Sequence, residues 1–100
     1  MKNFKTYELA ISFFNACLKL KLRGTLRNQL ERASSSIALN LSEGRGRKTL
    51  ADQKHFFQIA YGSARECKAI LELADLKKDV VYCMADNICA HIYRLLQNAK

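Results

Sequence analysis

Thr25-Leu26-Arg27-Asn28-Gln29-Leu30-Glu31-Arg32-Ala33-Ser34-Ser35-Ser36-Ile37-Ala38-Leu39-Asn40-Leu41-Ser42-Glu43 runs straight into Gly44-Arg45-Gly46-Arg47-Lys48, and together they set a helix against the clearest break in the chain. Leu26, Leu30, Ala33, Ile37 and Leu41 step by four, three, four and four along one stripe, which is the period of an amphipathic helix. Beside them runs a polar stripe of Gln29, Arg32, Ser36, Asn40 and Glu43. At about 100° per residue these five fall within an arc of about 80°. Asn40 and Glu43 border the apolar stripe and are expected to be partly buried, bonded to a neighbouring helix or a second subunit. The Ser34-Ser35-Ser36 run is poor helix material, but its small side chains let another helix come close. The spacing predicts a helix over 25–43, with Thr25 as N-cap and Gly44 as its end.

The same period governs the rest of the chain. Tyr7, Ala10, Phe14, Cys17 and Lys21, with Ile11 and Leu18 alongside, predict a helix over 4–20. Gly24 is expected to close it in a left-handed conformation. Phe57, Ala60, Ala64, Cys67, Leu71 and Ala74 form a heptad seam in a third helix over 49–76. Thr49 begins that helix, and Asp52 three residues later makes a weak capping box. Gly62 sits inside it, and a mid-helix glycine costs about 1 kcal/mol relative to alanine, which a close helix crossing would offset. Lys77-Lys78-Asp79 is a short turn with Asp79 as N-cap. A fourth helix over 79–98 turns Val81, Met84, Ile88, Ile92 and Leu95 inward. Short loops force sequential helices to run antiparallel. The expected architecture is therefore all-α: one domain, residues 1–100, folded as an up-down-up-down four-helix bundle.

Composition excludes several classes. One hundred residues suit one domain, and an apolar fraction of 49% is that of a globular chain. No stretch approaches the roughly 20 apolar residues of a membrane span. Leu9-Ala10-Ile11 is too short for the apolar region of a secretory leader, so the expected compartment is the cytoplasm. Seventeen Lys and Arg against nine Asp and Glu give a net charge of +8. Residues 1–50 hold ten cations and three acids, against seven and six in residues 51–100. A basic half on a small protein points to a polyanion, RNA or DNA ahead of anionic membrane.

Catalytic and metal chemistry find little footing. Cys17, Cys67, Cys83 and Cys89 contain no C-x-x-C pair, and Cys89 and His91 point about 200° apart on a helix. Reduced, mostly buried thiols are expected, with no metal and no cofactor. His55 and His91 have no Glu three residues before them, as a di-iron bundle would need, and no spacing sets either beside a nucleophile. Gly46-Arg47-Lys48-Thr49 fails the phosphate-loop pattern, because Arg47 stands in the second glycine's place and a helix precedes it. The turn still sets three cations ahead of a helix N-terminus, where free N–H groups attract anions.

Ala33-Ser34-Ser35-Ser36-Ile37-Ala38-Leu39-Asn40-Leu41-Ser42-Glu43-Gly44-Arg45-Gly46-Arg47 closely resembles the signature of the bacterial four helix bundle protein family, also known as the 23S rRNA intervening-sequence proteins. Phe56-Phe57-Gln58-Ile59-Ala60-Tyr61-Gly62-Ser63-Ala64-Arg65-Glu66 resembles that family's helix-three segment. The likeness covers residues 4–76. Many members have Pro where this chain has Ala38 and Leu where it has Ala64; neither departure breaks a helix. The resemblance implies a bundle assembling as a homopentamer. It also implies that some relatives are encoded inside intervening sequences of rRNA genes. Distant relatives serve reverse transcriptases as accessory proteins, with a basic surface engaging RNA.

The expected function is a non-enzymatic oligomer, itself its first partner, that binds nucleic acid or a ribonucleoprotein. Arg23, Arg27, Arg45, Arg47 and Lys48 are the expected phosphate contacts. Ser36, Asn40, Glu43, Gly44 and Gly62 are the candidate structural and interface residues. No small-molecule substrate and no membrane role are indicated. The alternatives are a scaffolding oligomer with no nucleic-acid role and a small ribonuclease. Some toxin nucleases are four-helix bundles with Arg and His four to six residues apart. Here seven residues separate Arg47 from His55.

Overall fold

The computed structural model describes residues 4–98; the ends of the expected domain, 1–3 and 99–100, lie outside the described residues. Four helices follow one another: α1 Lys5–Leu18, α2 Gly24–Arg45, α3 Leu50–Leu73 and α4 Val80–Asn98. No strand occurs among the described residues. The molecule measures 39 × 21 × 21 Å, its long axis close to the length of α2 or α3 at about 1.5 Å per residue.

The helix seams converge on one core. Phe13, Leu30, Ile37, Leu41, Leu71, Val81, Ile88 and Ile92 are fully enclosed. The α3 seam of Phe57, Ala60, Ala64, Cys67 and Leu71 is buried throughout. Each enclosed Leu, Ile or Phe side chain contributes about 1.5–3 kcal/mol relative to exposure. Along α2 and α3, partner residues pair in opposite order: Ser36 with Ser63, and Arg32 with Glu66. Along α3 and α4, Lys68 pairs with Asp86 and Tyr82 with Glu72, again in opposite order.

Caps explain several helix limits. Thr49 is extended, and its Oγ1 accepts from the Asp52 backbone N–H at 3.1 Å. Asp79 Oδ1 accepts from Val81 N–H at 2.9 Å. Both were expected from the sequence. Three other limits differ. α1 stops at Leu18, two residues early, because Lys19 and Leu20 turn their N–H groups to carbonyls three residues back and tighten the last turn. Gly24, with φ +62°, opens α2 where it was expected to close α1, and Arg23, not Thr25, stands at the extended cap position without a side-chain bond. α3 ends at Leu73, not Leu76. Leu76 N–H reaches Leu71 O and Asp75 N–H reaches Glu72 O, with Asp75 left-handed at φ 61°. That bond pattern is a Schellman stop, and it uses Asp where Gly is usual.

Gly44 is the largest departure from the sequence reading. It does not end α2, which continues to Arg45 with Gly46 at the cap. A Cβ on Gly44 would lie 2.7 Å from Phe57 Cε1 and 3.1 Å from Gln53 O. The missing side chain therefore lets α3 press onto the end of α2. Gly62 is the reverse: a Cβ there meets nothing within 4 Å, so no crossing inside the chain offsets its helical cost.

Candidate nucleic-acid interface

The five expected phosphate-contacting residues fall into two groups. Arg23 and Arg27 sit at the start of α2; Arg45, Arg47 and Lys48 sit at its end. Arg45 lies eighteen positions after Arg27, or about 27 Å along the helix. They do not form one patch.

Arg27 is largely occupied within the chain. Its Nη1 donates to Leu20 O at 3.2 Å, and its Nε pairs with Glu31 at 2.9 Å. That ties the α1–α2 connection to α2, where Arg23 is exposed together with Lys19 and Lys21.

The α2–α3 turn is more firmly built. Gly46 N–H reaches Ser42 O and Glu43 O, and Arg47 N–H reaches Gly44 O at 3.1 Å. Gln53 Nε2 donates to Arg47 O at 2.8 Å. The Thr49 cap closes the far side. Arg45 lies over the Phe4 ring at 5.4 Å and Arg47 over the Phe56 ring at 4.7 Å. His55, exposed, stands edge-on to Phe56 with centroids 5.2 Å apart. Lys48 and Lys54 are exposed and enter no ion pair among the described residues.

Two cations join this end that the sequence reading did not assign to it. His91 is held below its ordinary value first by burial, then by Arg94 and Lys5, so α1's start and α4's end bring their charge near the same place. Nothing in local spacing signals this; it follows only from the helix order. Glu43 works the other way. It was expected to be partly buried, yet it is exposed and pairs with Arg47 at 2.8 Å. Its position on the outer edge of the polar stripe keeps it in solvent.

Ser36 and Asn40, the half-buried members of that stripe, are structural. Ser36 and Ser63 hydroxyls meet at 3.0 Å between α2 and α3. Asn40 is half-buried and bonds within its own helix, its Nδ2 donating to Ser36 O at 2.9 Å and to Ser36 Oγ at 3.0 Å. Ser34, fully buried, donates to Leu30 O at 2.7 Å. No buried side-chain nitrogen or oxygen among the described residues lacks a partner. The serine hydroxyls are satisfied in or across the helix, by bonds to carbonyls three and four residues back and by the Ser36–Ser63 contact; such local bonds do not themselves favour the helix, which packing against α3 holds.

Reactive chemistry is muted elsewhere. Burial pushes the Cys17 thiol up to about 12, and burial raises Cys67 and Cys89 as well. Among the described residues no three His, Cys, Asp or Glu side chains group as a metal site needs. No described helix is long and apolar enough to cross a membrane.

No curated protein and no solved structure matches this chain. A family model described as 23S rRNA-intervening sequence protein matches residues 2–98, nearly the whole chain. With four helices, the buried heptad seam of α3 and the Gly-Arg turn between α2 and α3, the chain belongs to the 23S rRNA-intervening sequence protein family.

Proposed function

We propose that this protein is a non-enzymatic, self-associating, up-down-up-down bundle that binds nucleic acid through the end carrying the α2–α3 turn. The observation that carries the reading is the turn itself: Arg45, Arg47 and Lys48 on a backbone fixed by Gly44 O, Gln53 and Thr49. Cations on a rigid frame lose little entropy on meeting a polyanion. The Lys5 and Arg94 charges near His91 add to the same end. The opposite order of partner residues along neighbouring helices supports the antiparallel arrangement that gathers these termini.

Self-association is supported by α1. Ile11, Phe14 and Leu18 step by three and four on a strip outside the Ala10, Phe13 and Cys17 core face. Ile11 and Leu18 remain 40% and 39% exposed. A second copy would cover this strip, in the homopentamer that the family likeness implies. A closed ring would repeat the basic turn and convert weak contacts into avidity.

The scaffold reading draws on one observation: Arg27, Arg32 and Arg47 are each paired with a carboxylate of their own chain. Fluorescence anisotropy of labelled RNA and duplex DNA at low and moderate salt separates the two. Binding that weakens steeply with salt supports the nucleic-acid reading. No binding at low salt, with an assembled protein by light scattering, would leave the scaffold.

A further inference from the structure

We propose that the α2–α3 end accepts single-stranded nucleic acid, with the Arg47 guanidinium, backed by Phe56, receiving an unpaired base. The inference rests on the nucleic-acid reading above and gives Arg47 a role different from phosphate contact.

Glu43 takes the Arg47 Nη2 edge at 2.8 Å. A carboxylate on that edge occupies donors a phosphate would need and adds a negative charge beside them. Arg47 is therefore poorly suited as a phosphate clamp. The same bond lies along the guanidinium edge and leaves its two faces open. One face meets Phe56, 4.7 Å from the ring centroid. The side chain is still 43% exposed, and the proposed base takes the face turned away from Phe56. Its main chain is held by Gly44 O and by Gln53. Backbone, edge and one face are thus fixed, and one flat face remains.

Flat cationic faces are what unpaired bases stack on, and each such base–side-chain stack adds roughly 10-fold or more in affinity. Phe56 supports the plane from behind. His55, exposed, stands edge-on against Phe56 and helps hold that ring in place. Arg45 over Phe4 is a second guanidinium–aromatic pair at the same end. Lys48 and Lys54, in no ion pair among the described residues, supply the phosphate contacts. A duplex keeps its base faces inside its own stack and can use only those cations.

Arg47→Lys isolates the plane from the charge, because lysine keeps the charge and has no face. Wild type and Arg47→Lys are titrated with three labelled probes of equal length: a single-stranded RNA without self-complementarity, an abasic strand and a duplex. Circular dichroism checks that both proteins are folded. Wild type should bind the base-bearing strand about 10-fold more tightly than the abasic one. Arg47→Lys should lose about that factor on the base-bearing strand and leave the other two probes unchanged, and Phe56→Leu should do the same. Equal wild-type affinity for base-bearing and abasic strands would overturn the proposal while leaving nucleic-acid binding intact. An equal loss on all three probes, or no loss on any, would also overturn it. Failure of wild type to bind any probe at low salt would remove the underlying reading as well.

Discussion

Replacing Gly44 with alanine should destabilise this protein even though alanine is the better helix former. Relief of the glycine's backbone entropy inside α2 favours the substitution by about 1 kcal/mol. The new Cβ, however, would sit 2.7 Å and 2.9 Å from two Phe57 ring carbons and 3.1 Å from Gln53 O. Carbon–carbon contact is comfortable at about 3.5–4.0 Å, so the ring must retreat by about 1 Å. Phe57 is 4% exposed and backed by Phe4, with ring centroids 6.2 Å apart, and Gln53 O is main chain. Neither can yield without moving the core or opening the first turn of α3. Overpacking of this kind costs about 1–3 kcal/mol, and more when backbone must shift. With main chain in the way the upper part of that range, about 2–3 kcal/mol, applies, so the net expectation for Gly44→Ala is a loss of about 1–2 kcal/mol, or roughly 5–15 °C in Tm for a chain this size. Thermal melts followed by circular dichroism at matched protein concentration measure it, since assembly ties Tm to concentration. A double-mutant cycle with Phe57→Leu identifies the cause, because a smaller side chain should absorb much of the alanine's cost. A Gly44→Ala protein more stable than wild type, or a cost unchanged by Phe57→Leu, would refute the close α2–α3 approach.

The same substitution at Gly62 should have the opposite sign in the isolated chain, a gain of about 0.5–1 kcal/mol, because a Cβ there meets nothing within 4 Å. Loss of assembly by light scattering on Gly62→Ala would instead mark that surface as a subunit contact. Asp75→Gly should gain about 0.5–1 kcal/mol in a denaturant melt, since glycine holds φ 61° without the steric cost that Asp pays. Ellman's reagent at neutral pH should label one thiol quickly, the exposed Cys83, and all four only after denaturation. Cys17, pushed up to about 12 by burial, should stay unreacted in the folded protein.

What the sequence made legible was whatever depends on neighbours three and four residues away. Leu30, Ala33, Ile37 and Leu41 on α2 and the Phe57 to Leu71 seam on α3 are all buried, because periodicity alone sets the inward face of a helix. Thr49 and Asp79 were legible as caps, because capping is a bond across two or three residues. Gly44 was read as the end of the second helix and Gly62 as the close crossing, whereas within the chain the close approach lies at Gly44. A glycine's use depends on what another helix brings opposite it, and Phe57 is thirteen residues from Gly44. The five basic residues were named together as phosphate contacts because all lie in the basic half of the chain. A helix as long as α2 carries the two halves of that group to opposite ends of the molecule. The Arg47–Glu43 pair and the Arg47–Phe56 stack were within sequence range, at steps of four and nine. They were missed because Glu43 was read as a partly buried member of the polar stripe and Phe56 only as part of the helix-three likeness.

The central claim is that the α2–α3 turn is where this protein meets nucleic acid. The most direct test compares wild type with the triple variant Arg45→Ala, Arg47→Ala and Lys48→Ala in anisotropy titrations of labelled RNA across a range of salt. Each duplex phosphate neutralised contributes about 0.9 to the log–log slope, and each single-strand phosphate about 0.7. Arg47 and Lys48 are exposed and Arg45 is half-buried beside Phe4, none of them in the core; charges so placed contribute little to folding, so the variant should keep the wild-type helical signal and assembled mass. It should bind more weakly, with a shallower slope. Equal affinity and equal slope for the two proteins would contradict the claim.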